Sequence, residues 1–226
     1  MDSKEKHCII NAYVNDGWYP RGQERLVKSL NYHGYSGDVL TWKEEWPMEE
    51  YDTTCPYNIK AACLEKALEL GYTTILWLDC SCWAIKDVMP IFDKITHEGY
   101  YMWGSGYFAS QTCNDAVLEY FGVTRDEVDK FPDCSSSMFG LRVGNPIADE
   151  FAKKFIQAAK DGMFKGSREH NPEESSDPRF MFSRHDQSVA TILAYKLGMT
   201  YSTYGEYSCV YEPTMPKEAC VTMKGL

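Results

Sequence analysis

The stretch TTILWLD, residues 73–79, limits the fold more than any other feature of the chain. Its side chains from Ile75 to Leu78 are apolar without interruption, as in a strand with helices covering both faces of its sheet. Two earlier segments, CIINAYV (8–14) and DVLTW (38–42), also read as strands. Helical patterns lie between the three. One runs from about residue 23 to 31 with Leu26, Val27 and Leu30 on its inner side. The other starts near Pro56, carries Ile59, Cys63, Ala67 and Leu70 on one stripe, and stops at Gly71. This β-α-β-α-β alternation predicts an α/β domain with a Rossmann-type sheet between two helical layers.

The second half is less regular. YYMWGSGYF (100–108) and SSMFGLRV (136–143) are expected as strands. PIADEFAKKFIQAAKDG reads as a helix with Ile147, Phe151, Phe155 and Ala159 recurring every four residues, and with Asp149–Lys153 and Glu150–Lys154 pairs on its wet side. Residues 161–184, DGMFKGSREHNPEESSDPRFMFSR, are polar and lack periodicity; a loop of that length in a compact domain is expected to be functional or mobile. A last helix, DQSVATILAYKLG, turns Val189, Ile192, Leu193 and Leu197 inward, and a tail of short strand-like pieces follows from about residue 200. The 226 residues suit one domain. It divides into a βαβαβ half (8–99), a second half (100–200) and the tail (201–226).

A formal charge of −10, without a Lys/Arg block, argues against nucleic acid as a partner. No apolar run is long enough to span a bilayer, and the first residues pass from charged side chains directly into a strand, with no signal-peptide pattern. Nine cysteines, an odd number with no C-x-x-C pair, are expected as free buried thiols in a reducing compartment, the cytoplasm. Cys80 and Cys82 form only a C-x-C, which is weak evidence for a metal or redox site.

Topology gives Asp79 its interest. Ligands of open parallel sheets bind beyond the carboxyl ends of the strands, and the loop after Val14, the loop after Trp42 and Asp79 all fall on that edge. The second helix runs back antiparallel to the strands, so its amino end brings Tyr57, Asn58 and Lys60 to the same place. Helix-end N–H groups and a lysine beside a carboxylate suit an anion such as a nucleotide diphosphate. On position alone Asp79 reads rather as a solvated strand end or turn cap and Lys60 as a surface lysine, while Asp186 reads equally as a helix N-cap.

Three segments in order, PYNIKAACLEKALELGYTTILWLDCSCWAIKDVMPIF, SSSMFGLRVGNPIADEFAKKFI and RHDQSVATILAYKLGM, resemble the core of GT-A-fold nucleotide-sugar-dependent glycosyltransferases. The resemblance implies a single GT-A-like domain that moves a sugar from a nucleotide diphosphate, of UDP or GDP type, to a hydroxyl on a glycan, lipid or protein. In that family a strand-end Asp-x-Asp holds Mn²⁺ or Mg²⁺ on the diphosphate. Here Asp79 matches its first residue and Ser81 its second, with Cys80 between them. The same resemblance implies that residues 11–16, including Ala12, Tyr13 and Asp16, hold base and ribose, with Tyr13 or Trp18 stacking on the base. Lys60 would lie near the phosphates and Ser136 and Ser137 beside the sugar. Asp186 would be the catalytic or acceptor-orienting carboxylate, with Arg184 and His185 near the departing diphosphate.

The hydroxyl of Ser81 brings no charge to a metal that prefers oxygen ligands, and no histidine follows His185 to supply the family's further ligand. Metal binding is therefore expected to be weakened, or its work left to Lys60 and Arg184. The stereochemistry stays open: Asp186 is a general base in an inverting transfer, or steadies the sugar cation or orients the acceptor in a retaining one. The alternative is a non-catalytic nucleotide- or carbohydrate-binding protein on the same fold. A phosphotransferase with Asp79 as nucleophile ranks last, because its strand comes third.

Overall fold

The computed structural model describes residues 5–14 and 17–224. Along them run strand β1 (His7–Tyr13), helix α1 (Tyr19–Tyr32), β2 (Asp38–Lys43), a 3₁₀ turn (Pro56–Asn58), α2 (Ile59–Glu69), β3 (Thr74–Leu78), β4 (Cys82–Ala84) and α3 (Met89–Glu98). They continue with β5 (Tyr100–Tyr101), β6 (Gly104–Phe108), the single turn α4 (Ala109–Thr112), α5 (Asp115–Phe121), β7 (Pro132–Cys134) and β8 (Met138–Arg142). The last elements are α6 (Pro146–Lys160), α7 (Asp186–Leu197), β9 (Ser208–Val210) and β10 (Val221–Met223).

The main sheet has the order β2-β1-β3-β8-β5. β1 is parallel to β2 and β3, whereas β8 is antiparallel to both β3 and β5. It is thus a mixed sheet in a single α/β domain of GT-A-like, Rossmann-type design. Strand side chains alternate between faces, and the alternation divides the core. Cys8, Ile10, Ala12, Ile75, Trp77, Phe139 and Leu141 pack with α2, α6 and α7. Ile9, Leu76, Leu78 and Met138 pack with Leu26 and Leu30 of α1 and with Ile91, Phe92 and Ile95 of α3. Both faces of β3 are therefore covered, and all five of its residues are buried.

Local chemistry sets the helix ends. Asn145 caps α6 by accepting from the N–H groups of Ile147 and Ala148, with Pro146 in the first turn. Gly198 closes α7 at φ +65°. α1 begins at Tyr19 rather than near residue 23, since Pro20 fits a first turn as well as Pro56 does. The expected strand over 100–108 is two strands. β5 pairs with β8, and β6 forms a separate antiparallel ribbon with β7. Between them Trp103 leaves the sheet to bridge Ser202.

The tail has a defined place: β10 pairs with β4 on one side and with β9 on the other. The N–H of Lys224 donates to the Ser81 carbonyl (2.9 Å), fixing the tail beneath the turn that follows β3. The nine cysteines are free and buried. No helix among the described residues is long and apolar enough to cross a membrane.

Candidate active site

β3 ends against the amino end of α2 and the start of α7, and all three open into one cleft of about 680 Å³. Asp79 follows the strand directly, and its N–H donates to the Ser137 carbonyl (2.8 Å). Its Oδ1 accepts from the Trp77 indole N–H (2.6 Å) and lies 3.4 Å from Lys60 Nζ. Asp186, the first residue of α7, does not cap its own helix. Its Oδ2 accepts from Lys60 Nζ at 2.7 Å. The third proton of the ammonium goes to the Ser136 carbonyl (2.7 Å), with Ser136 Oγ at 3.3 Å. An ammonium has three protons to place, and here each has an acceptor.

The Lys60 side chain is 7% exposed and that of Asp186 4%. Burial works against the ammonium charge, but Asp186 and Asp79 outweigh it, and the Lys60 pKa is pushed up to about 12. Burial raises the Asp79 carboxyl above its ordinary range, opposed first by Lys60. A third of the Asp79 side chain faces the open cleft, so water moderates that shift. No hydrogen bond from the described residues reaches Asp79 Oδ2 or Asp186 Oδ1, which leaves one oxygen of each acid for a ligand.

His185 precedes Asp186 at φ +57° and ψ −124°, a strained conformation for a side-chain-bearing residue. Its ring stacks on Tyr57 with centroids 3.8 Å apart and planes 14° apart. Burial pushes its pKa down to about 4, Asp186 opposes this, and Arg168 adds to it, so the ring is neutral at ordinary pH. Its buried Nδ1 has no hydrogen-bond partner. Above Tyr57 lies Arg168, whose Nε donates to the Tyr57 hydroxyl (2.8 Å).

Of the residues singled out in the sequence, Ala12, Tyr13, Trp18, Tyr57, Lys60, Asp79, Cys80, Ser81, Ser136, Ser137, Arg184, His185 and Asp186 line this cleft. Asp16 lies outside the described residues. Three expectations need correction. Asn11 is buried, donating to the Leu78 carbonyl and accepting from Gln23, so it braces β1 against β3 rather than facing a base. Asn58 is buried as well and donates to the Asp52 carbonyl. The loop after Trp42, expected at this edge, contributes no residue to the cleft wall. Cys80 reaches the cleft, but its thiol points toward Asn11 Oδ1 and the Ala12 carbonyl.

Sequence reasoning missed Tyr19, Tyr107, Arg168, Phe182 and Met223 on the wall. They come from separate places in the chain, and no spacing ties them together. Gln187 was visible beside Asp186. It binds the buried Asp133 through Nε2 (2.5 Å) and accepts from the Ser136 N–H, linking α7 to β7 and the serine run.

The donor set tests the fit of a divalent metal. Asp79 offers one open oxygen, the Ser81 hydroxyl has Cys82 as its neighbour at 3.9 Å, and Asp186 is tied to Lys60. The described residues contain no cluster of three or more His, Cys, Asp or Glu arranged to hold a metal. These residues do not fit a cation held by the protein's own side chains.

The architecture has a solved counterpart. The chain is similar to the crystal structure of a glycosyltransferase involved in the glycosylation of the major capsid of PBCV-1. The TM-score is 0.52 and the identity 13%, over 96% of this chain and 92% of that one. At that identity the likeness shows the fold. No protein-family model matches the sequence, and no curated protein matches it.

Proposed function

We propose that the protein is a glycosyltransferase that takes a sugar from a nucleotide diphosphate and joins it to a hydroxyl of a carbohydrate or other acceptor. The observation carrying this reading is the Lys60–Asp79–Asp186 cluster on the floor of the cleft, at the carboxyl edge of the sheet, with one oxygen of each acid left open. The GT-A-like fold and the aromatic wall of Tyr13, Trp18 and Tyr19 support it, since bases and sugar faces stack well on such rings.

In this reading the base lies against Tyr13 or Trp18, the ribose near Ala12, and the diphosphate runs past Cys80 and Ser81. The sugar sits between Asp79 and the Ser136–Ser137 run. The acceptor oxygen bonds to the anomeric carbon as the bond from that carbon to the β-phosphate oxygen breaks, and the electron pair leaves with the diphosphate. The hydroxyl proton passes to Asp186 in an inverting transfer, or to the departing phosphate in a retaining one, where Asp186 steadies the positive sugar. Lys60 holds Asp186 in place for either role. A Mn²⁺ or Mg²⁺ ion, were it to enter, would come with the donor diphosphate and meet Asp79 and the Ser81 hydroxyl. No step here depends on it. The nine free thiols are consistent with work in a reducing compartment such as the cytoplasm.

Thermal unfolding against UDP, GDP, CDP and their common sugar conjugates tests this function. A ligand at about 100 times its Kd adds about 2.7 kcal/mol of stability, a clear shift in midpoint. We expect one base to stand out. No shift with any nucleotide contradicts the proposal. Binding that survives Asp186→Ala, in a wild-type protein without turnover, points instead to a binding protein on the same fold.

A further inference from the structure

The floor cluster contains one ammonium and two carboxylates, so its formal charge is −1, and each Lys60 proton already has an acceptor. Lys60 therefore has nothing left to give a diphosphate, and the floor by itself repels one. The remaining Lys or Arg side chains on the cleft wall are Arg168 and Arg184. Neither forms an ion pair with a carboxylate among the described residues. Arg168 donates its Nε to Tyr57 and lies beside Tyr19, and the Arg184 guanidinium packs near the rings of Phe182 and Tyr107 at 5.4 and 6.0 Å.

Both arginines lie on the 161–184 loop, near its two ends, and the part between them is pinned. Arg125, buried beneath it, donates to the carbonyls of Ser110 and Cys113, to Asp115 and to Ser175 Oγ. Arg179 pairs with Asp126, Asp129 and Asp177. At one end Arg168 is tied to Tyr57, and at the other the Arg184 N–H donates to Ser188 Oγ (3.1 Å). The loop thus carries to one cleft, on a braced frame, two guanidinium forks without a carboxylate partner among the described residues, and such forks suit phosphate oxygens in paired geometry.

Resting on the glycosyltransferase reading, we propose that Arg168 and Arg184 form the diphosphate clamp of this protein and meet the leaving group with the positive charge that the floor does not supply. The negative charge that arrives on the β-phosphate oxygen as the sugar departs is met by the two guanidinium groups. Because they sit on a loop already braced by Arg125 and Arg179, the two guanidinium groups are in place before the donor arrives. Ser81 is then no defect: a second carboxylate there would add negative charge to a floor that has no cation to spare.

Isothermal titration of the full chain with the favoured nucleoside diphosphate and its monophosphate, each in excess EDTA and in Mn²⁺, tests the clamp. We expect diphosphate binding in EDTA. Arg168→Ala should weaken it ~10- to 100-fold, the loss of one charge-assisted contact, with a smaller effect on the monophosphate, so that the ratio of the two affinities falls. Arg168→Lys should recover part of the ratio, and Arg184→Ala should lower it independently. Diphosphate binding that requires Mn²⁺, an Arg168→Ala protein that binds as wild type does, or an equal loss for both nucleotides would overturn the clamp while leaving the function standing. No nucleotide binding in either condition defeats the function, and the clamp with it.

Discussion

At the scale of single residues, Lys60 is the most informative position in the chain. Its place in the sequence is that of an ordinary helix lysine, yet it sits buried between two acids whose positions are 19 and 126 residues away. Removing one partner of a buried pair leaves uncompensated charge, at a cost of ~3–5 kcal/mol. We expect Lys60→Met to fall at the low end, because Asp79 keeps some contact with water, and Asp186→Asn in that background to restore part of the loss. Urea unfolding of the single and double variants checks this. His185 gives a pH prediction. Its pKa falls from 6.5 to about 4 on folding, so the unfolded chain binds the proton more readily. The stability gained from keeping the ring neutral is present above about pH 6.5 and is lost as pH falls toward 4, by up to roughly 3 kcal/mol. His185→Asn should flatten that part of the stability–pH curve; an unchanged curve would contradict the assignment. Asp79 was legible as a candidate because it ends an apolar strand, and Asp186 because of its neighbours in SRHDQ and the resemblance, since its place at a helix start alone reads as an N-cap. The Lys60 link was only half legible, since a contact across 126 residues leaves no local trace. Arg168 was illegible: a polar loop carries no period from which to read a direction.

At the scale of elements, α1 is held to the site by the absence of a side chain. A Cβ on Gly22 would collide with the Cys80 carbonyl, in the turn that carries Asp79 and Ser81. Alanine normally gains about 1 kcal/mol over glycine inside a helix. Here the obstacle is backbone, and overpacking of this kind costs ~1–3 kcal/mol. Gly22→Ala should therefore destabilise the protein and weaken nucleotide binding, seen as a lower urea midpoint and a higher Kd. The long loop is a second case. Its sequence reads as a functional or mobile loop, but Arg125 and Arg179 tie its middle with paired charges that no spacing rule reveals. Arg125→Met should expose the loop to limited proteolysis between residues 161 and 184, at a rate clearly above that of wild type. An equal rate would mean that the loop does not depend on that anchor.

At the scale of the whole molecule, the β-α-β-α-β order up to β3 was read correctly because each strand and helix there carries its own period, and two-sided burial of β3 is written directly in its apolar run, whereas β4 and α3 went unread. The second half was harder. β5 has two residues and β7, β9 and β10 three each, and strands that short are defined by partners rather than by pattern. The tail's pairing with β4, which carries Met223 into the cleft, is one such consequence. The proposal at stake is that the cleft moves sugars from nucleotide diphosphates using Asp186. The most direct test is release of nucleoside diphosphate from a panel of nucleotide sugars, followed with wild type and with Asp186→Asn. We expect turnover of a donor with one base, reduced on the order of 10²- to 10⁴-fold in the variant while that donor still binds. Wild-type protein that binds the donor and never releases diphosphate, or a variant as active as wild type, would contradict the claim.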